Sequence, residues 1–156
     1  LRNLLPGVSF EQAWELAQET FAKSIERAED KGVTICFEPL APSETDFINT
    51  AEQAIDFVSQ FDSDAFKIIL DVKAMSSETK PIPDIIRDSH PNFAYFHCND
   101  ENLKGPGFGD VDFRPIFGAL KEVGYDGVAS VEVFDFEEGP ETIARESLGY
   151  MKEASA

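Results

Sequence analysis

The sequence predicts an α/β protein with an all-parallel sheet, built as four strand–helix units preceded by one helix. Three observations carry that expectation. Four apolar runs of strand type, at residues 33–37, 66–70, 93–97 and 128–131, alternate with segments of helical periodicity. The runs are apolar nearly throughout rather than alternating, as strands covered on both faces are. Each run also closes on a side chain able to ligate a metal or move a proton: Glu38, Asp71, His97 and Glu132, spaced 33, 26 and 35 residues apart. Regular alternation of this kind implies parallel strands joined by right-handed crossovers.

The elements follow in order. Residues 1–8 read as a lead-in with a turn at Pro6-Gly7. Ser9 is placed as an N-cap, and Gln12 three residues later completes a capping-box pattern. From Phe10 to about Asp30, Ala13, Trp14, Leu16, Ala17, Phe21, Ala22, Ile25 and Ala28 recur at helical spacing, and Lys31-Gly32 closes that helix. After the first strand, residues 39–47 are loop, and Asn49 or Thr50 caps a second helix reaching about Phe61. Residues 62–64 turn into the second strand. A loop over residues 71–83 and a short helical stretch over 84–88 lead to the third strand, which ends at His97. A long glycine-rich loop, including Gly105, Gly107 and Gly109, precedes a helix starting near Asp112. Gly124-Tyr125-Asp126-Gly127 turns into the fourth strand, and a last helix spans residues 140–152.

Length and composition bound the function. At 156 residues the chain is expected to be one domain, 1–156, large enough for a real core, and fourteen Phe against one Trp and three Tyr predict a core built on Phe. A net charge of −17, with 30 acidic against 13 basic residues, argues against nucleic acid, whose phosphates need a basic face. Most of that charge reads as a solvated surface, and a smaller part as carboxylates gathered around a cation. Two cysteines, Cys36 and Cys98, form no disulfide framework, which points to a reduced, cytoplasmic setting. No apolar run approaches the roughly 18 residues of a membrane span, and no signal peptide is visible, so no membrane partner is expected. The opening Leu1-Arg2-Asn3, without an initiator Met, suggests a piece of something longer.

In a parallel α/β protein the C-terminal ends of the strands form one face, and that face carries the chemistry. Glu38, Asp71, His97 and Glu132 are therefore expected to converge on one divalent metal. Taken singly, a strand-end carboxylate more often caps a helix or pairs with Lys; taken with His97, the set reads as ligands. Three carboxylates and one imidazole suit Mn²⁺ or Mg²⁺, with Co²⁺ or Zn²⁺ as alternatives. Such a metal would polarise a carbonyl and acidify the neighbouring C–H. Glu38 and Glu132 come from the first and last strands and are expected to be the catalytic pair, one removing a proton from carbon and the other returning it to the opposite face through a metal-held enediolate. Lys73 and Lys104, near strand ends, are candidates for an anionic substrate group. His90 reads as a surface turn residue.

These residues resemble the xylose-isomerase-like sugar phosphate isomerases/epimerases, which are (β/α)₈ TIM barrels. The resemblance rests on Phe37-Glu38-Pro39, Leu70-Asp71, Phe96-His97-Cys98-Asn99-Asp100, the run Gly107-Phe108-Gly109-Asp110-Val111-Asp112-Phe113, and Gly124-Tyr125-Asp126-Gly127 leading to Val131-Glu132-Val133. It implies that the four units correspond to strands five to eight, the C-terminal half of the barrel, and that the four strand-end residues bind one divalent metal with the two glutamates as acid and base. Glu44, six residues after Glu38, falls at the spacing of a sugar-contacting glutamate. Glu44, Lys73, Asp100 and Lys104 are thus the expected substrate-binding residues. Ala74 and Leu103 stand where the ketose epimerases of that family carry a histidine and an arginine.

The implied function is a divalent-metal-dependent isomerase or epimerase acting on a sugar, sugar phosphate or related hydroxy-carbonyl compound. The alternatives are a metal-dependent hydrolase or lyase on the same scaffold, as in its AP-endonuclease branch, and a non-catalytic half-barrel assembly module. Four strands cannot close a barrel that needs eight, so the expected partner, besides a small carbohydrate, is a second copy or a missing N-terminal half-barrel.

Overall fold

The computed structural model describes residues 3–156. Helix α1 (Phe10–Lys31) starts on the Ser9–Gln12 capping box, with both reciprocal bonds present, and ends on Gly32 in the left-handed conformation that glycine adopts without penalty. Strand β1 (Ile35–Phe37) is shorter than the apolar run that predicts it, because Val33 and Thr34 lie exposed before the sheet begins. Thr50, rather than Asn49, caps α2 (Ala51–Val58), and a 3₁₀ turn at Ser59–Phe61 completes that helix. Asn49 instead donates from Nδ2 to Leu40 O and Thr45 O, closing the loop that follows β1.

Strand β2 (Phe66–Asp71) passes directly into a single helical turn, α3 (Val72–Met75), where the sequence predicted only loop. The reason is local: Asp71 Oδ1 accepts the Ala74 N–H at 2.8 Å and caps the turn. Helix α4 (Ile82–Ser89) starts earlier than expected, with Pro83 in its first turn. Strand β3 (Phe93–Cys98), α5 (Phe113–Glu122, capped by Asp112), β4 (Val128–Val131) and α6 (Pro140–Ala154) complete the chain.

The strands form one sheet in the order β1-β2-β3-β4, all parallel, with Asp71 beside His97 and His97 beside Ser130 in register. The core lies between the sheet and its helices. Phe37, Phe57 and Phe66 are buried and pack with half-buried Phe21 and Phe61 at ring separations of 5.0–6.2 Å. Trp14 and Phe57 meet edge to face with ring centres 5.0 Å apart, so the lone tryptophan packs half-buried against the core. No described helix is long and apolar enough to cross a membrane. The fold is one four-stranded, all-parallel α/β sheet, as the alternation of elements predicts.

Candidate metal centre

Each strand goes from fully buried apolar side chain to polar one across a single peptide: Phe37 to Glu38, Leu70 to Asp71, Phe96 to His97. The fourth does so more loosely, from half-buried Val131 to Glu132, whose N–H still donates to Cys98 O at 3.1 Å and extends the pairing one residue beyond β4. Because the strands are parallel, these four side chains emerge at one rim. One ligating atom from each of Glu38, Asp71, His97 and Glu132 lies within 4.8 Å of the others.

His97 stands at the centre. Its Nδ1 is 3.4 Å from Glu38 Oε1, 3.4 Å from Glu132 Oε2 and 3.6 Å from Asp71 Oδ2. These separations exceed good hydrogen bonds, and the buried Nδ1 is left without a partner. The surrounding carboxylates, Asp71 first and then Glu38, push the imidazole up to about 10, against the opposing effect of burial. Burial also acts to raise Asp71, but the contacts from His97, the Ala74 N–H and Asn99 outweigh it and hold that carboxyl low. Glu132 goes the other way, raised mainly by burial, with the neighbouring Asp71 and Glu38 charges adding to the shift. Three carboxylates facing one orphaned nitrogen at sub-5 Å spacing are a donor set that a divalent cation fits.

Asp71 combines the two readings that its position allowed. Oδ1 caps α3, and Oδ2 faces the cluster, where it accepts from Asn99 Nδ2 at 2.6 Å. Asn99 is the residue that sequence reasoning passed over. It lies two positions after His97, and the period of an extended chain puts both on one side, a signal that was available.

The expected substrate residues divide into groups. Glu44 and Lys73 come together: Lys73 Nζ donates to Glu44 Oε1 at 2.7 Å and lies 4.7 Å from the centre of the Phe134 ring. Glu44 Oε2 is buried without a hydrogen-bond partner. Asp100 is directed into its own loop, where Oδ2 accepts the Val111 N–H at 2.9 Å, and a Cβ on Gly109 would overlap its carboxylate. Lys104 is bound by Glu138, with Asp135 and Glu137 each 3.8 Å away. His90 is exposed in the turn before β3. Burial pushes the Cys98 thiol up to about 12, so it behaves as core, and neither cysteine belongs to the cluster.

Residues 2–154 match the family described as xylose isomerase-like TIM barrels. The chain belongs to that family. Among curated relatives, a D-psicose 3-epimerase of Ruminiclostridium cellulolyticum is 35% identical over 121 residues, covering 78% of this chain and 41% of the relative. An L-ribulose 3-epimerase of Mesorhizobium japonicum is 31% identical over 134 residues, covering 86% and 45%. Of solved structures, D-psicose 3-epimerase with D-tagatose from Clostridium cellulolyticum H10 superposes with a TM-score of 0.86 at 28% identity, over 95% of this chain and 58% of that one. The chain thus spans less than half the length of these two curated relatives.

Proposed function

We propose that the chain provides the metal centre and both proton-transfer groups of a sugar epimerase, and that residues 1–156 act as the C-terminal half of a TIM barrel. The observation that carries this reading is the convergence of Glu38, Asp71, His97 and Glu132 at four successive strand ends around an unpartnered imidazole nitrogen. The names of the relatives, D-psicose and L-ribulose 3-epimerase, support the class of reaction.

The four residues would hold one divalent cation, with Mn²⁺ or Mg²⁺ favoured by the oxygen-rich set. When bound, it would act as a Lewis acid toward a carbonyl oxygen and so acidify the adjacent C–H. Glu38 and Glu132 arise from the outer strands β1 and β4, so a substrate seated over the rim lies between them. One carboxylate takes the proton from the carbon next to the carbonyl, and the carbon's electron pair moves toward the carbonyl oxygen. The other, starting protonated, returns a proton to the opposite face. One C–H bond breaks and one forms, with inversion and no net redox change.

The substrate class narrows to an uncharged ketose. Both lysines near the rim are already matched by carboxylates, Lys73 by Glu44 and Lys104 by Glu138. A phosphate would meet a rim dominated by negative charge, whereas the uncharged hydroxyls of a free ketose would not be repelled by it. Lys73 then serves to set Glu44 and Phe134 as a wall rather than to bind an anion. The second half of the barrel comes from another copy of the chain or from a missing N-terminal half-barrel, and the free cysteines fit a cytoplasmic setting.

The test is solvent-deuterium incorporation at the carbon next to the carbonyl, with the chain, Mn²⁺ and a panel of free and phosphorylated ketoses. Incorporation into a free ketose is expected, with Glu38→Gln and Glu132→Gln each slower by roughly 10²- to 10⁴-fold. Both variants exchanging at the wild-type rate, or no Mn²⁺-dependent exchange with any ketose once the barrel is complete, would sink the reading. Sedimentation tests the second half: an active monomer would contradict assembly.

A further inference from the structure

We infer that Asn99 is the positioning residue of this centre, a clamp whose carboxamide fixes Asp71 and Glu132 to each other and to the start of α3. The inference rests on the reading of the four strand-end residues as one cation site. Asn99 is fully buried. Its Oδ1 accepts the Lys73 N–H at 2.8 Å. A backbone N–H only donates, so the orientation of the carboxamide follows from its partner. Nδ2 is thereby turned toward the two carboxylates, 2.6 Å from Asp71 Oδ2 and 3.2 Å from Glu132 Oε2.

Those are the same two oxygens that stand 3.6 and 3.4 Å from His97 Nδ1. One amide group therefore decides which oxygen of each carboxylate faces the imidazole, and hence which faces a cation in the same place. With Oδ1 of Asp71 held by the Ala74 N–H, both oxygens of that carboxylate are fixed. A carboxamide suits the task better than other polar groups. It supplies two donors to two like-charged neighbours and so offsets part of their repulsion. It carries no charge that would compete with the cation, and its third bond, to Lys73 N–H, keeps it from turning. An aspartate at this position would set a third carboxylate against the other two, and a lysine would bring a rival cation. Outer partners of this kind typically change metal affinity or activity by about 10- to 100-fold when removed. The clamp also joins a residue that only holds the cation, Asp71, to one that would also move a proton, Glu132.

Two measurements on the 156-residue chain decide the matter. In the metal-free protein, the Asn99 side-chain amide protons are expected to exchange slowly with solvent by NMR, and Glu132→Ala should release one of them. Solvent-like exchange in the wild type, or unchanged protection in Glu132→Ala, would overturn the clamp whether or not the chain binds metal. The second measurement is Mn²⁺ titration followed by the EPR signal of the free ion, at a temperature where circular dichroism shows each variant folded. Asn99→Ala is expected to bind Mn²⁺ roughly 10- to 100-fold more weakly, and Asn99→Ser, which retains one donor, to lose less. Asn99→Ser carries this arm if Asn99→Ala does not fold. Wild-type affinity in a folded variant would overturn the inference. A wild-type chain that binds no Mn²⁺ would instead sink the cation reading, and the amide protons alone would then judge the clamp.

Discussion

The phenylalanine cluster beneath β1 and β2 and the polar cluster at their C-terminal ends share the same strands and are held by opposite means. Phe57 touches the rings of Trp14, Phe21, Phe37, Phe61 and Phe66, and every such contact adds burial and dispersion. At the rim, three carboxylates repel one another and a buried nitrogen lacks a partner. Such a group of side chains would separate if it were not fixed from below. Phe37, Leu70 and Phe96, each the residue before a member of the rim cluster, are almost wholly buried and supply that fixation. The difference teaches that the site takes its geometry from the core, and that site and core should respond differently to mutation, metal and pH.

Breaking the core is expected to have the largest effect. Phe57→Ala should destabilise the chain by about 3–5 kcal/mol, read as a lower urea midpoint, and by the same amount with and without Mn²⁺. A loss much smaller than that would mean the aromatic cluster contributes little to holding the sheet and its helices together. His97→Ala addresses the rim itself. The rise in melting temperature on adding Mn²⁺ should largely disappear, since ligand stabilisation follows affinity. An equal rise in wild type and variant would rule out a shared site.

The pH response sharpens the contrast, because the aromatic cluster around Phe57 carries no titrating group. In the metal-free chain the folded His97 titrates at about 10, above its ordinary value of 6.5. Its contribution to stability is therefore full below about 6.5 and is lost as pH rises through about 10. The melting temperature of the wild type should fall across that window, relative to His97→Ala. Over the same window Mn²⁺ should bind more tightly, as it no longer competes with the proton on Nδ1. A flat difference between the two proteins would remove the imidazole from the centre of the carboxylates. The smallest effect is expected at the far end of α1: Ser9→Ala should cost about 1 kcal/mol by denaturant titration, and leave the Mn²⁺-induced shift unchanged.

Much of this molecule is legible without coordinates. The apolar runs predict all four strands, and the polar residue closing each run predicts the rim, because a parallel sheet can only present its strand ends together. The capping box at Ser9, the glycine stop at Gly32 and the Asp112 cap are local chemistry, readable from neighbours in sequence. The turn at α3 was less visible, since Asp71 reads singly as a cap and together with His97 as a ligand; one of its oxygens caps the turn and the other faces His97.

What the sequence determined by itself was periodicity and order: parallel strands, a phenylalanine core, and which four side chains lie at one end. Those follow from interactions within a strand or helix. Only the tertiary structure decided the pairings between loops. Lys73 is drawn to Glu44 and Phe134 from two other segments, Lys104 to the carboxylates after β4, Asp100 inward to Val111, and Asn99 between Asp71 and Glu132. Which charges a lysine meets, and where an amide proton points, depend on segments tens of residues apart being brought within 3.2 Å by the sheet. That distance is set by register and loop closure, and spacing along the chain does not carry it.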